Sequence, residues 1–124
     1  MNPERKKLFL RADKVWSRIV GYQFNQHCIL CGRPGTDAHH WLYIRSILQY
    51  RWNLSNGVYM CRICHSDVDR LPELLLEKIA KDYPEIWTWS KDRPPLGLSR
   101  VSSISILETV NMLELTASKL GIQV

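Results

Sequence analysis

The 124-residue chain is 45% hydrophobic, holds five tryptophans and carries a net charge of +5, a composition that excludes a disordered polyelectrolyte. No apolar run approaches the roughly 20 residues that span a bilayer, and the length suits a single domain, residues 1–124, with a modest core. The positive charge is uneven, with 11 Lys and Arg against 5 Asp and Glu in residues 1–70 and 6 against 7 in residues 71–124, so the first part is the one suited to a polyanion such as nucleic acid.

The first predicted element is a basic helix over residues 1–21. Asn2 is placed to cap it, Pro3 suits its first turn, and Gly21 stands where a C-terminal glycine would close it. Leu8, Ala12, Val15 and Ile19 recur at helical spacing and predict its buried face. Beside them Lys7, Arg11, Lys14 and Arg18 form a basic stripe, which is either an ordinary solvated face or a surface that tracks phosphates. So charged an N-terminal stretch does not read as a secretory signal, and an intracellular, cytoplasmic setting is expected.

Residues 27–70 hold nearly all the residues able to bind a metal or move a proton. All four cysteines lie here as two CxxC pairs, Cys28/Cys31 and Cys61/Cys64, separated by 29 residues. Each pair offers two thiolates from one tight turn, and two such turns face to face make the closed four-sulfur shell that structural zinc prefers. Disulfides are the weaker alternative without an oxidising compartment, and a redox motif would need only one CxxC.

After the CGRPG turn, residues 37–44 (DAHHWLYI) read as a strand, residues 45–55 as a loop carrying Arg45, Arg51 and Trp52, and GVYMC as a returning strand. Adjacent His39 and His40 point to opposite faces of a strand and should have different tasks. A helix is predicted from about Arg62 to near Arg70, ended by Pro72. It places His65 and Asp69, at i and i+4, on one face. Asp67 rivals Asp69, Asp37 reads as a turn residue, His27 as a packed or surface histidine, and Asn56 before Gly57 as a turn signal.

Residues 71–124 read as a helical extension. One helix is broken at Tyr83 and Pro84, with Leu75, Ile79 and Trp87 as core candidates, and SKDRPPLGLS is a linker or loop. Ser105 and Glu108 have the spacing of a capping box for a last helix that Gly121 would close. Ile106, Val110, Leu113, Ala117 and Leu120 make its buried stripe, while Met112 and Leu115 widen the apolar surface towards either a core or a homodimer interface.

With AHH at 38–40, NGVYMCRICH at 56–65 and CILC in front, about 40 residues of the chain resemble the HNH endonucleases, most closely small phage-type members. The resemblance implies an α+β fold: an HNH ββα-metal core stapled by a four-cysteine zinc site, with flanking N- and C-terminal helices. It implies hydrolysis of DNA phosphodiester bonds, double-stranded by default, in a phage or bacterial setting. His40 is then the general base, and Asn56 fixes the direction in which it points. His39 and His65 are ligands of one catalytic divalent cation. Similar chains carry a second histidine where this one has Asp69, and a hard oxygen ligand there favours Mg2+ or Mn2+. Arg45, Arg51 and Arg62 are the expected phosphate contacts, and Trp41 and Trp52 either pack or stack on bases. Two rivals stay open: a nuclease selective for branched DNA, and a zinc-knuckle DNA-binding module without catalysis.

Overall fold

In the computed structural model, which describes residues 1–93 and 103–123, the chain is mixed α and β, mostly helical around one small antiparallel sheet. The helices are α1 (Pro3–Gln23), α2 (Leu48–Arg51), α3 (Arg62–Arg70), α4 (Glu73–Asp82), α5 (Pro84–Asp92) and α6 (Ser103–Lys119). The strands are β1 (Asp37–His40) and β2 (Gly57–Met60), with a single 3-10 turn, Leu54–Asn56, leading into β2. Of the expected SKDRPPLGLS loop, Ser90 to Asp92 belong to α5 and residues 94–99 lie outside the described part.

Asn2 caps α1 as its position predicts, its side chain accepting from the Arg5 backbone N–H at 2.8 Å, with Pro3 in the first turn. Ala12, Val15 and Ile19 are buried and Leu8 is partly so, but the face is wider than that spacing suggests, because Phe9, Trp16 and Val20 are buried too. The helix does not stop at Gly21. It runs to Gln23, and the turn is made by Asn25 and Gln26 in left-handed backbone (φ 52° and 61°). Gly21 is needed for proximity instead: a Cβ there would lie 2.9 Å from the Gln26 side chain and 3.2 Å from the Tyr59 ring.

β1 and β2 pair antiparallel, with Asp37 opposite Met60, His39 opposite Val58 and His40 opposite Gly57. Alternation sends the His40 side of the sheet to α1 and the His39 side to α3. The first strand ends at His40 rather than continuing to residue 44, because the Asn56 side chain captures the backbone N–H groups of Leu42 and Tyr43 and pulls the chain out of the ladder. Residues 45–55 are not an open loop either. They contain α2 and the 3-10 turn and bury Tyr50, Arg51 and Trp52.

α3 has the predicted bounds, with Leu71 outside the helix before Pro72. α4 and α5 break at Tyr83 and Pro84, burying Leu75 and Ile79 and half-burying Trp87. α6 begins two residues before Ser105, so Ser105 and Glu108 lie inside it, and Gly121 (φ 76°) follows its end. It packs on α1 through Ile106, Val110, Leu113 and Ala117, while Leu120, past the helix end, is partly exposed instead of buried. Arg11 reaches Glu114 and Arg18 reaches the Gln123 carbonyl, contacts in the same order along both segments, so α1 and α6 run parallel. Among the described residues no helix is long and apolar enough to cross a membrane.

Candidate active site and metal centre

The four cysteines converge. Their sulfurs all lie within 4.8 Å of one another, and among the described residues they are the only group of three or more metal-binding side chains gathered this closely. The first pair sits in a knuckle closed by the Gly32 N–H on the Cys28 carbonyl at 3.0 Å, with Gly32 at φ 73° turning the chain where a side chain would be strained. The Ile29 N–H on the Tyr59 carbonyl, 2.9 Å, ties that knuckle to β2. The second pair starts α3, with the Cys61 sulfur capping the helix by accepting from the Cys64 N–H at 3.4 Å.

The donor chemistry and spacing fit zinc. A tetrahedral shell of four thiolates with Zn–S bonds of about 2.3 Å requires sulfurs about 3.8 Å apart, and Cys31 and Cys61 are 3.7 Å apart. That is far beyond the ~2.05 Å of a disulfide, and all four cysteines are free. Arg33 donates to the Cys31 sulfur at 3.4 Å and holds its thiol down at about 6, whereas burial pushes Cys64 up. Only a bound cation would make thiolates of both.

On the α1 side of the sheet, His40 lies flat on Trp16, ring centroids 4.3 Å apart and planes within 8°. Its Nε2 is 2.8 Å from the Arg51 carbonyl. A carbonyl can only accept, so in neutral His40 the proton is on Nε2 and the lone pair is on Nδ1. Burial holds the ring below its ordinary pKa, against the opposing effect of that hydrogen bond. Gly57, opposite His40, makes room for this arrangement, since a Cβ there would come within 2.6 Å of the Trp16 ring. Gly57 itself is extended (φ −121°), so Asn-Gly here is a close approach and not a turn.

Asn56 is fully buried and uses its whole amide. Its oxygen accepts from the Leu42 and Tyr43 N–H groups at 3.2 and 3.0 Å, and its nitrogen donates to the Tyr43 and Tyr50 carbonyls at 3.0 and 3.1 Å. One side chain thus fixes both ends of the segment between the strands. Asn56→Ala leaves four backbone groups without these partners, at ~0.5–1.5 kcal/mol per bond. The expected loss of ~2–6 kcal/mol is checked by urea unfolding, and Asn56→Asp, which sets a buried carboxylate against the Tyr43 and Tyr50 carbonyls, should be no more stable than the alanine variant at neutral pH.

On the α3 side, His39 and His65 meet edge to face with centroids 4.6 Å apart. The His65 Nδ1 is 3.1 Å from the Asp37 carboxylate, and exposed Arg62 is 3.6 Å from the same group. The His65 hydrogen bond holds the Asp37 carboxyl below its usual range. Burial first, and His65 next, hold His39 down at about 4, while Asp69 acts in the opposite direction. Asp69 lines a cavity of about 370 Å³ with His39. These side chains do not close on one point as the thiols do. Asp67 is committed to Arg70 at 2.7 Å.

Depressed histidines make folding pH-dependent. An unfolded His39 takes its proton near 6.5 and the folded one only near 4, so stability is unaffected above about pH 6.5 and falls as pH drops towards 4. Thermal unfolding from about pH 7.5 to 4 should show this decline. His39→Gln, which cannot take the proton, should reduce it and leave whatever part comes from protonation of metal-bound thiolates.

Both histidine faces open into one cavity of about 510 Å³, lined by Asp13, Trp16, Ser17, Ala38, His39, His40, Ile44, Arg45 and His65. Arg45 stands at its edge, largely exposed and 3.2 Å from Asp13. Arg51 has a different position from the expected phosphate contact: it is 7% exposed, doubly bonded to Asp13 and packed over Phe9 and Trp52. Trp41 and Trp52 are buried packing residues, their indole N–H groups donating to the Ser55 carbonyl and to Asp13. In the basic stripe Arg11 and Arg18 bind α6 and the residues after it, Lys7 pairs loosely with Glu4 at 3.8 Å, and Lys14 is exposed.

Sequence reasoning does not place Asp37, Asp13 or Trp16 beside these histidines. Asp37 is the first residue of β1 and shares a face with His39, which the two-residue strand period could have shown. Asp13 and Trp16 come from α1, and only tertiary packing brings them here. Comparison with family models, curated proteins and solved structures gave no match to this chain.

Proposed function

We propose that the chain is a metal-dependent endonuclease of the HNH, ββα-metal kind that hydrolyses DNA phosphodiester bonds. The observation that supports it best is His40: a neutral imidazole, proton fixed on Nε2 by the Arg51 carbonyl, in an open cavity that His39 and His65 also line. An acceptor held in one tautomer, with its pKa lowered by burial, is what a general base at neutral pH requires.

In this reading His40 Nδ1 takes the proton of the attacking water while Trp16 and Arg51 keep the ring from turning. Arg45 leaves Asp13 for a substrate phosphate, and exposed Arg62, near Asp37, is a second phosphate contact. His39 and His65, with Asp69 and Asp37 as oxygen donors, would hold one divalent cation, Mg2+ or Mn2+. Such an ion supplies charge neutralisation at the phosphoryl and leaving oxygens. Asp69→His exchanges a hard oxygen for imidazole and should move the metal preference towards Zn2+ and Ni2+. Rates measured across a metal series check this, and an unchanged ranking would leave Asp37 as the carboxylate ligand.

Incubation of the protein with supercoiled, linear and four-way-junction DNA, each with Mg2+, Mn2+ or EDTA, tests the reading. Metal-dependent cleavage of all three supports it. Cleavage of the junction alone points to a branch-selective nuclease, and binding without cleavage to a zinc-knuckle DNA-binding module.

A further inference from the structure

The Asp13 carboxylate, on α1, is about three-quarters buried and both its oxygens are shared between two donors. One oxygen accepts from Arg51 Nε at 3.0 Å and from the Trp52 indole at 2.7 Å. The other accepts from Arg51 Nη2 at 2.7 Å and from Arg45 at 3.2 Å. Burial by itself would raise its pKa, but these bonds outweigh it and the carboxyl lies below its ordinary value. Every donor belongs to the segment between the two strands, whose only α-helix is the four-residue α2.

That segment also holds the imidazole of His40. The carbonyl of Arg51 accepts from His40 Nε2 at 2.8 Å. Asn56 holds the preceding carbonyl, that of Tyr50, and Asp13 holds the side chains of Arg51 and Trp52 on either side of the peptide group that carries the acceptor. A single turn of helix cannot fix that peptide by its own hydrogen bonds. We propose that Asp13 is a positioning residue for His40, acting through the Arg51 peptide to keep the imidazole proton on Nε2 and the lone pair of Nδ1 facing the cavity. The assignment of His40 as the base rests on the nuclease reading; the control of its tautomer by Asp13 does not.

Asp13→Asn keeps the shape and removes the charge, but it strands the buried Arg51 guanidinium and threatens the fold. The double variant Asp13→Asn, Arg51→Met removes both charges while leaving the backbone carbonyl at position 51 in the chain. In the full-length, zinc-loaded protein, two-bond 15N–1H correlation spectra of the imidazoles report which nitrogen carries the proton. The wild type should show the Nε2–H form of His40 alone, and the double variant a mixture with Nδ1–H. On DNA the double variant should lose kcat by about 10- to 100-fold, the range for a misplaced catalytic group, with KM within about twofold. A folded double variant that keeps the wild-type tautomer and kcat overturns the proposal. Absence of cleavage by the wild type would instead overturn the nuclease reading, and the spectra would still decide the positioning role.

Discussion

Cys31→Ser should abolish zinc binding at the four-cysteine centre and unfold the protein at temperatures where the wild type is stable. Cys31 is the exposed member of the four, so its thiol contributes little to core packing. In a protein without metal its conversion to serine would fall within about ±0.5 kcal/mol. In a four-thiolate site it removes one of four ligands from a metal whose binding free energy, on the order of 10 kcal/mol in small zinc-dependent folds, is also folding free energy. The centre joins the knuckle before β1 to the start of α3, so its loss frees the helix that carries His65. Metal content by mass spectrometry and unfolding by circular dichroism read the two effects separately. Wild-type stability in the serine variant would remove the zinc assignment.

The parts of the fold that are legible in the sequence are those where local chemistry decides. Two CxxC pairs specify a metal site through spacing alone, Pro72 ends α3 by steric exclusion, and Asn2 with Pro3 opens α1. The segment between the strands departs from its pattern because a side chain overrides the backbone there. Residues 37–44 have the composition of a longer strand, yet Asn56, more than a dozen residues further on, takes the N–H groups that would have extended it. Arg51 escapes sequence reading for a related reason. An arginine near a site of this kind is expected at the surface, and only the approach of Asp13 from α1 makes burial of its charge tolerable. The same long-range approach hides Trp16, which lies outside the expected buried stripe of α1 and is the surface on which His40 lies.

This arrangement changes what the basic stripe of α1 can do. Arg11 and Arg18 are already engaged, one with Glu114 and the other with the Gln123 carbonyl, and they fasten α6 to the helix that carries Asp13 and Trp16. α6 therefore steadies the His40 side of the sheet from behind. Its own exposed apolar side chains, Met112 at 70% and Leu115 at 57%, lie outside this contact.

On the nuclease proposal, His40→Ala should abolish cleavage while leaving zinc content, DNA affinity and the overall fold near wild type. General-base catalysis by a positioned side chain accounts for about 10²- to 10⁴-fold in rate, and the whole of that factor should appear in kcat because the imidazole acts on the water and not on the bound phosphate. The fold loses one stacked ring pair, worth ~0.5–1.5 kcal/mol, and one hydrogen bond to the Arg51 carbonyl. His40→Gln is a useful companion, since its amide can donate to that carbonyl but cannot serve as an effective base at neutral pH. It should recover stability without recovering rate. The wild-type pH profile carries the same signature. A base must be unprotonated, and burial places His40 below the ordinary histidine value of 6.5. The rate should therefore be nearly flat above neutrality and fall only at pH values under about 6.5. A profile still climbing between about pH 7 and 9 would assign the proton transfer to a different group.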